Sequence, residues 1–359
     1  KKKIAGGNGE LIIAGRTRSN DGDVSGNHGD WDFLLLRTDS AGQLLGQWCY
    51  GGADAERSNT IKRAATERFI MGGYASSNDG DVSSTNGDLD VWVIEVDDTG
   101  SIQWEQSWGG TSMESTEGID IAADGGIVVP AWSLSGDLDN TCQLGTGDWW
   151  LSKLDAAGTL SWRSCVGGTA EEIPYDVVAL PDTGFVVAGQ TFSADGDVQS
   201  HIAWQDAWLV RFDATGNIAW ERCVGGSMME EFHGLEATPD GGYIACGNTS
   251  SNDVDVSGNH GGYDGWVAKF GPDALGIARP AVSPASVRFD TWSGLLSIVL
   301  PEAERRVGVK LLDAHGRVVS ATAFSGREHQ LDLGDRASGV YLVRLERSGQ
   351  VEHHRVLRL

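Results

Sequence analysis

Short apolar runs alternate with polar turns along most of the chain, and no stretch keeps the 3.6-residue spacing of an amphipathic helix. Residues 118 to 164 contain four such runs: Gly118 to Ala122, Gly126 to Ala131, Trp149 to Leu154 and Leu160 to Ser164. Asp and Gly residues separate the runs, and both residue types favour tight turns. The pattern predicts an all-β protein with four short strands in this segment.

The same pattern returns every 58 residues. Aspartates mark the period at Asp32, Asp90, Asp148, Asp206 and Asp264, and tryptophans mark it at Trp92, Trp150, Trp208 and Trp266. Five copies occupy roughly residues 1–280. Four strands per copy, without helices, predict a five-bladed β-propeller whose third-strand tryptophans share one packing environment. Because the opening strand of the first copy is reduced to Lys1 through Ala5, a six- or seven-bladed ring stays open as an alternative.

A different pattern begins after residue 280. Ala281 to Ala285 form a linker into residues 281–359, the second predicted domain. Alternation predicts four strands and a closing hairpin, with a turn at residues 314–316, and the hairpin turns at Ser348-Gly349. The predicted strands are Ser286–Trp292, Leu295–Leu300, Val307–Leu312, Val318–Phe324, Gly339–Val343 and His354–Leu359. Strands of this number and length suit a small immunoglobulin-like β-sandwich.

Two segments of this second domain carry a family resemblance. Residues 309–319, VKLLDAHGRVV, and residues 337–344, ASGVYLVR, resemble the type A C-terminal sorting domain of type IX secretion cargo. The opening differs, because Val282-Ser283-Pro284-Ala285 stands where the family has Tyr-Pro-Asn-Pro. The repeats, typified by Ser19 to Gly29, are similar to tandem units of secreted Bacteroidota proteins. The resemblance implies export by the type IX machinery through residues 281–359, to the extracellular space or the outer-membrane surface.

The acidic charge is concentrated in the repeats. The chain has a net charge of −24, and residues 1–280 contain 16 Lys and Arg against 42 Asp and Glu. Such an acidic surface repels phosphate backbones, so nucleic acid is excluded as a partner. No apolar run approaches the ~20 residues that span a bilayer, so no transmembrane segment is predicted.

Three cysteines occupy the same place in successive copies: Cys49, Cys165 and Cys223. Equivalent places in separate blades are too far apart for disulfide bonds among the three. We expect them to be unpaired and to pack as small buried hydrophobic residues.

The loop between the second and third strands of every copy has the spacing of a calcium-binding loop. In the first copy Asp21, Asp23, Ser25 and Asp32 stand at loop positions 1, 3, 5 and 12, where oxygen ligands surround Ca²⁺. The equivalent candidate ligands are Asp79, Asp81 and Asp90; Asp137, Asp139 and Asp148; Asp195, Asp197 and Asp206; and Asp253, Asp255, Ser257 and Asp264. Asx-turns without metal are the alternative, since Asp side chains also accept hydrogen bonds from nearby backbone amides.

No catalytic motif breaks the repeat. The chain has no Gly-x-Ser-x-Gly, no His-Glu-x-x-His and no phosphate-binding glycine loop, so it is predicted not to be an enzyme. The leading hypothesis is a secreted structural or adhesive surface protein, with self-association as an option. A lectin-like propeller that binds surface glycans is the alternative, with Trp31 and Trp204 as its exposed loop candidates. A secreted hydrolase ranks third. His28 and His260, at one repeat position, are expected to be solvent-facing loop residues.

Overall fold

The computed structural model describes residues 2–5, 9–65, 67–139, 144–271, 286–290, 294–313, 317–334, 336–347 and 350–358. Within these ranges the chain consists of antiparallel β-sheets and contains no α-helix, which confirms the all-β prediction. It divides into two compact units, Lys1–Ile277 and Ala278–Leu359. The predicted linker at residues 281–285 lies outside the described residues.

The described part of the first unit contains five consecutive sheets, one for each repeat copy. Apart from β9 of the third sheet, each strand pairs with its neighbour in sequence, so the sheets are antiparallel meanders. Sheet one comprises β1 Lys2–Ala5, β2 Leu11–Thr17, β3 Asp32–Thr38 and β4 Leu44–Tyr50; sheet two comprises β5 Glu56–Ala65, β6 Arg68–Ala75, β7 Asp90–Asp97 and β8 Ile102–Trp108. Sheet three comprises β9 Glu114–Thr116, β10 Asp120–Ile121, β11 Ile127–Ser133, β12 Asp148–Leu154 and β13 Leu160–Val166. Sheet four comprises β14 Glu172–Ala179, β15 Phe185–Thr191, β16 Asp206–Phe212 and β17 Ile218–Val224, and sheet five comprises β18 Glu230–Ala237, β19 Tyr243–Thr249 and β20 Asp264–Phe270.

The predicted strands match these elements closely in the third copy, with one difference. Its first strand is divided into β9 and β10, which both pair with β11. β15, the second strand of sheet four, and β12, the third of the four predicted strands of sheet three, are buried at every position. This burial agrees with their near-continuous apolar runs. The fourth strands, such as β13, are only partly buried. The apolar sequence of the middle strands therefore reflects burial on both faces.

Consecutive sheets stack face to face, and each junction encloses an apolar core made from the same repeat positions. We call the face of a sheet that contacts the following sheet its forward face, and the opposite one its rear face. At the junction of sheets one and two, Phe33 of the forward face packs on Trp92 of the rear face, with ring centroids 4.6 Å apart. Two copies later, Trp149 and Trp208 occupy the same positions, 4.5 Å apart.

A tryptophan of the fourth strand covers one end of the first three junctions. Trp104 of β8 lies against Gly158 in the turn of sheet three, where a Cβ would come within 2.6 Å of the indole. Gly158 has a φ of 81°, a conformation that favours glycine. Trp162 covers Gly216 of the next sheet in the same way. These tryptophans therefore have a packing role between sheets.

Trp266 and Cys165 differ from what the sequence predicted for their repeat positions. Trp92, Trp150 and Trp208 are buried, whereas Trp266 in sheet five is only half-buried. Cys49 and Cys223 are unpaired and buried as expected, but Cys165 is disulfide-bonded, so the expectation for that residue was wrong. The repeat register excludes bonds among the three equivalent cysteines; it does not exclude bonds to cysteines elsewhere in the chain.

The described part of the second unit is one five-stranded antiparallel sheet. Its strands are β21 Ser286–Asp290, β22 Leu295–Leu312, β23 Val318–Asp332, β24 Gly339–Arg347 and β25 Gln350–Arg358. The two strands predicted within residues 295–312 form the single long strand β22, which pairs with β21, β23 and β24. The core of the second unit contains Leu296, Ile298, Val309 and Val343. The predicted turns at residues 314–316 and 348–349 lie outside the described residues.

Candidate functional site

The aspartate at loop position 12 begins the third strand of its sheet and is buried in copies one to four. Its Oδ2 accepts a hydrogen bond from the backbone N–H four residues earlier, which fixes the end of the preceding loop. The donors are His28 to Asp32 at 2.8 Å, Asn86 to Asp90 at 2.7 Å, Leu144 to Asp148 at 2.8 Å and Ile202 to Asp206 at 2.7 Å. Asp264 makes the equivalent bond with His260 at 2.7 Å but is partly exposed.

The second carboxylate oxygen of this aspartate is not satisfied in three copies. Oδ1 of Asp32, Asp90 and Asp148 is buried without a hydrogen-bond partner among the described residues. It faces a glycine at the end of the fourth strand, together with a glutamate of the next sheet. A Cβ added to Gly109 would lie 2.4 Å from Asp90 Oδ1 and 2.5 Å from Glu114 Oε2. Two carboxyl groups from adjacent sheets thus converge at each of these junctions.

The converging glutamates were missed by the sequence analysis. They are buried at the start of the first strand, at Glu56, Glu114, Glu172 and Glu230, and their 58-residue spacing was a signal that could have found them. Oε2 of Glu172 accepts the N–H of Gly168 at 2.8 Å, and Oε1 accepts the hydroxyl of Thr191 at 2.8 Å. The glutamate therefore ties the glycine turn before its own strand to the neighbouring strand.

The aspartates at loop positions 1 and 3 reach back to the preceding copy. Oδ1 at position 1 accepts the N–H that follows the glycine pair, as in Asp195 with Thr169 at 2.8 Å. Oδ2 at position 3 accepts the N–H of the first glycine, as in Asp197 with Gly167 at 3.1 Å. Equivalent position 1 bonds join Asp79 to Ala53, Asp137 to Thr111 and Asp253 to Ser227, and Asp81 bonds Gly51 in the manner of Asp197. Asp21 and Asp23 of the first copy are exposed.

The predicted ligands of one loop therefore bond to different turns. Asp79 and Asp81 bond to the turn after sheet one, whereas Asp90 bonds within its own loop. Among the residues that the structure describes, no group of three or more carboxylate, imidazole or thiol side chains has the arrangement of a metal site. Ser25 accepts a 2.8 Å hydrogen bond from the Gln47 amide, and Ser257 is exposed.

The side chain of His28 lies beside the first of these carboxylate sites. Its Nδ1 lies 2.7 Å from Asp32 Oδ2 and its Nε2 lies 3.9 Å from Asp81 Oδ2. The imidazole thus lies between the position 12 aspartate of copy one and the position 3 aspartate of copy two. A groove of about 450 Å³, lined in part by Ser25, His28 and Asp81, opens beside it. His260 makes the equivalent contact with Asp264 while its side chain is almost fully exposed.

Burial makes these carboxyl groups weak acids. It raises the pKa of Asp90 to about 6, and repulsion from Glu114 and Asp139 adds to the effect. Burial likewise raises the pKa of Asp32, Asp148 and Asp206. In contrast, hydrogen bonds from His260 lower the pKa of the partly exposed Asp264. A buried carboxyl pair of this kind favours a shared proton or a bound cation over two bare negative charges.

Aromatic side chains give a second group of candidates. Trp204 is 65% exposed in the loop before β16. Trp31 is partly covered, because the guanidinium groups of Arg16 and Arg18 lie 4.4 and 5.3 Å from its ring centroid. Of the two exposed tryptophans predicted from the sequence, Trp204 is therefore the one that presents an open aromatic surface.

The decisive comparison concerns the second unit. Residues 293–357 match the family of secretion system C-terminal sorting domains. This sorting domain makes the chain a substrate of type IX secretion, exported to the cell surface or the extracellular space. Within the described ranges, no helix has the length and apolar character needed to cross a bilayer. The predicted sorting domain and the predicted extracellular or cell-surface location are confirmed.

No curated protein matches the sequence. Solved structures that align with this chain include the glycoside hydrolase family 32 β-fructofuranosidase of Bombyx mori, with 10% identity, a TM-score of 0.33 and coverage of 98% of this chain and 84% of that one. A puromycin hydrolase has 10% identity, a TM-score of 0.41 and coverage of 84% and 42%. The apocarotenoid oxygenase of Synechocystis has 12% identity, a TM-score of 0.37 and coverage of 99% and 89%. With TM-scores this low, these likenesses support neither an activity nor a ligand for this chain.

Proposed function

We propose that this chain is a secreted, non-enzymatic structural or adhesive protein of the bacterial surface, exported through its C-terminal sorting domain. The observation that carries the proposal is the regularity of its polar interior. Buried Asp, Glu and Ser residues recur at the same positions in successive copies, as in Asp148, Glu172 and Ser193 of one junction. A catalytic site needs a particular set of groups at one place, whereas this repetition suits a scaffold.

We further propose that the five sheets are five blades of a β-propeller array and that the sorting domain is a small immunoglobulin-like sandwich. The stacking of consecutive meanders supports the blades, and the shared core of β22 to β24 supports the sandwich. Within the described ranges, sheets one and five do not stack on each other as consecutive sheets do. A closed ring would need both of their outer faces to be covered.

The surface role is tested in the producing cells. Cells that secrete the full chain are compared with cells that lack it, and with cells that secrete the chain without residues 281–359. We expect the full chain alone to reach the surface and to increase attachment of cells to solid supports or to one another. Surface display without any change in attachment or envelope integrity would overturn the structural or adhesive role.

We propose Ca²⁺ as the cation that occupies the buried carboxyl pairs, with Asp90 and Glu114 as the best example. Their convergence and the unpartnered Oδ1 of Asp90 support this assignment, since hard cations bind carboxylate and carbonyl oxygens. The site differs from the expected loop because its ligands come from two adjacent copies. Isothermal titration of the chelator-treated chain with CaCl₂ tests it; an absence of saturable heat would leave a shared proton as the account of these pairs.

A carbohydrate-binding function is the second candidate, and Trp204 supports it because an exposed indole can stack on a sugar ring. A glycan array probed with the native chain and with Trp204→Ala separates the two proposals. Specific binding that the substitution abolishes would favour the lectin-like function. Binding by neither protein would leave the structural role as proposed.

A further inference from the structure

The first strand of sheets two to five is irregular at one repeat position. In sheets two, four and five its pairing with the second strand shifts register there, and the residue at the shift has no partner in the β-ladder. In sheet three the strand is divided at the same place into β9 and β10. The residues at this position are Asn59, Glu117, Tyr175 and His233. Because β-bulges turn a side chain out of the regular alternation and are frequent beside functional sites, this position is a candidate for a role other than core packing.

These four residues differ from one another, although the positions around them repeat. Three residues before each of them stands the same buried glutamate, at Glu56, Glu114, Glu172 and Glu230. The irregular position instead carries an amide, a carboxylate, a phenol and an imidazole. A residue with a common packing role recurs in each copy, as the glutamate does, so the scaffold does not explain four different polar side chains. The differences between copies give this place the particular set of groups that the scaffold positions lack.

The four side chains converge, although they come from four sheets. Asn59 Nδ2 donates a hydrogen bond to Glu117 Oε1 at 2.9 Å, and the rings of Tyr175 and His233 lie with their centroids 4.3 Å apart. Burial raises the pKa of Tyr175, and the carboxylates of Glu231 and Glu117 raise it further. The hydrogen bond from His233 to Glu231 raises the pKa of His233, and the charge of Glu117 adds to this effect. The Glu117 carboxylate is thus near both rings, and we call the four residues the bulge cluster.

Side chains of the neighbouring strands hold the bulge cluster in place. Glu231 Oε1 accepts hydrogen bonds from His233 Nε2 at 2.9 Å and from Asn248 Nδ2 at 3.0 Å. The Tyr175 hydroxyl donates to Oε1 of Gln190, which is itself buried, at 3.4 Å. Side chains that are already oriented in this way lose less conformational entropy when a ligand binds.

The bulge cluster is accessible from solvent in the internal sheets. Glu117 of sheet three and Tyr175 of sheet four are each partly exposed, and both sheets have a neighbouring sheet on either side. Trp132 of β11 is also partly exposed and pairs with Ser115, so their side chains lie on the same face of the sheet. The Ser115 hydroxyl accepts a hydrogen bond from Asn59 at 3.3 Å. A small molecule can therefore reach aromatic rings and a carboxylate in the same part of the array.

The chemistry of the bulge cluster suits a neutral sugar. Sugar hydroxyls both donate and accept hydrogen bonds, which matches the carboxylate oxygens of Glu117 and Glu231 beside the N–H groups of His233. The ring of Tyr175 offers an apolar contact for the C–H groups of a pyranose. An anionic ligand is disfavoured, because Glu231, Glu117 and Glu171 all place negative charge near the Tyr175 hydroxyl. A metal ion is disfavoured as well, since no group of acidic, imidazole or thiol side chains among the described residues has the arrangement of a metal site.

We propose that the bulge cluster is the binding site for a neutral carbohydrate, with Glu117, Tyr175 and Glu231 in contact with the sugar. The inference rests on the carbohydrate-binding function given above as the second candidate. It assigns that function to side chains from several sheets rather than to the single indole of Trp204. Because each sheet contributes a different group, the site can distinguish sugars by the positions of their hydroxyls.

An array of immobilised neutral and acidic oligosaccharides, probed with a concentration series of the full chain, tests the site. The native chain should bind neutral oligosaccharides and leave those with carboxylate or sulfate groups unbound. Tyr175→Asn should raise the protein concentration at half-maximal signal about tenfold or more, because it removes the ring contact. Copy two carries asparagine at this position, so the bulge accommodates it, and urea denaturation verifies that the variant is folded. Leu160→Asn, exposed in sheet three, is the matched control and should change nothing.

A second variant gives a readout that a loss of folded protein would not produce. Glu117→Gln removes a negative charge and keeps the shape of the side chain. It should narrow the difference in signal between neutral and acidic oligosaccharides. An unchanged preference for neutral oligosaccharides in this variant would overturn the contact between Glu117 and the sugar.

The failure of this inference is distinguishable from the failure of the functions proposed above. Binding that Trp204→Ala abolishes and Tyr175→Asn leaves unchanged would overturn the site and keep the carbohydrate-binding function. Binding of acidic oligosaccharides alone would overturn the assignment to neutral sugars. No binding to any oligosaccharide would overturn the inference together with the second candidate function, while the structural or adhesive role keeps its own test in cells.

Discussion

Copies two to four of the repeat and its two end copies carry similar residues at equivalent positions, yet these residues lie in different surroundings. Leu209 and Val267 are both aliphatic residues of a third strand, but one is enclosed between two sheets and the other faces solvent. Asp90 and Asp264 both begin a third strand, but burial raises the pKa of the first and hydrogen bonds lower that of the second. In a stacked array, the neighbouring sheet determines what a repeat position contributes.

The largest expected effect concerns the third-strand aliphatic position. Leu209→Asp should lower the free energy of unfolding by about 4 kcal/mol or more, because it places a carboxylate in the apolar core between sheets four and five. Val267→Asp, at the same repeat position, should change it by less than about 0.5 kcal/mol, since the side chain is exposed. Urea denaturation of both variants at a concentration where the chain is monomeric measures the difference. Equal losses would contradict the distinction between internal and end sheets.

The next largest effect concerns the buried glutamate at a junction between two sheets. Glu172→Ala should destabilise the chain by roughly 2–4 kcal/mol, because Gly168 N–H and the Thr191 hydroxyl lose a charged acceptor in a buried place. Glu171→Ala alters the adjacent, partly exposed carboxylate and should cost less than about 1 kcal/mol. Thermal and urea denaturation of the two variants provide the comparison. Similar losses would mean that Glu172 has no special role at the junction.

The sequence predicted the repeat well because its period is carried by residues with strict local roles, such as the aspartates that begin third strands and the glycines of turns. It also located the strands of the third copy to within a few residues, apart from the division of β9 and β10. It could not predict that Asp81 would bond to Gly51 of the preceding copy, because spacing within a loop says nothing about contacts across a junction. The role of Glu56 was hidden for the same reason, since its partner aspartate lies 24 residues earlier in another sheet.

The opposite pKa shifts of Asp90 and Asp264 predict opposite pH dependences. For Asp90 the folded chain holds its proton more tightly, so its contribution to stability is present at low pH and is lost as the pH rises from about 4 to about 6. The stability of the native chain relative to Asp90→Asn should therefore fall by roughly 1–3 kcal/mol across this window in excess chelator. For Asp264 the contribution should be lost as the pH falls through its lowered pKa.

Unfolding measurements at pH 4 and pH 7, with chelator or with millimolar Ca²⁺, test both parts. Bound Ca²⁺ should restore stability at pH 7 in the native chain and much less in Asp90→Asn. Asp264→Asn is the control, because its carboxylate is partly exposed and carries a pKa shift of the other sign. A parallel pH dependence of the two variants would remove the argument that the junctions hold a proton or a cation.

The smallest expected effect concerns a Lys–Asp ion pair that occurs at the same repeat position in the third copy and again in the fifth copy. Lys153 bonds to Asp124 at 3.1 Å and is buried, whereas Lys269 bonds to Asp240 at 2.9 Å and is exposed. Lys153→Met should lower the free energy of unfolding by about 1 kcal/mol, because Asp124 loses its partner beside a covered sheet. Lys269→Met should produce no measurable change, since water replaces the lysine at the open face of sheet five. A loss for Lys269→Met as large as that for Lys153→Met would show that this face of sheet five is covered.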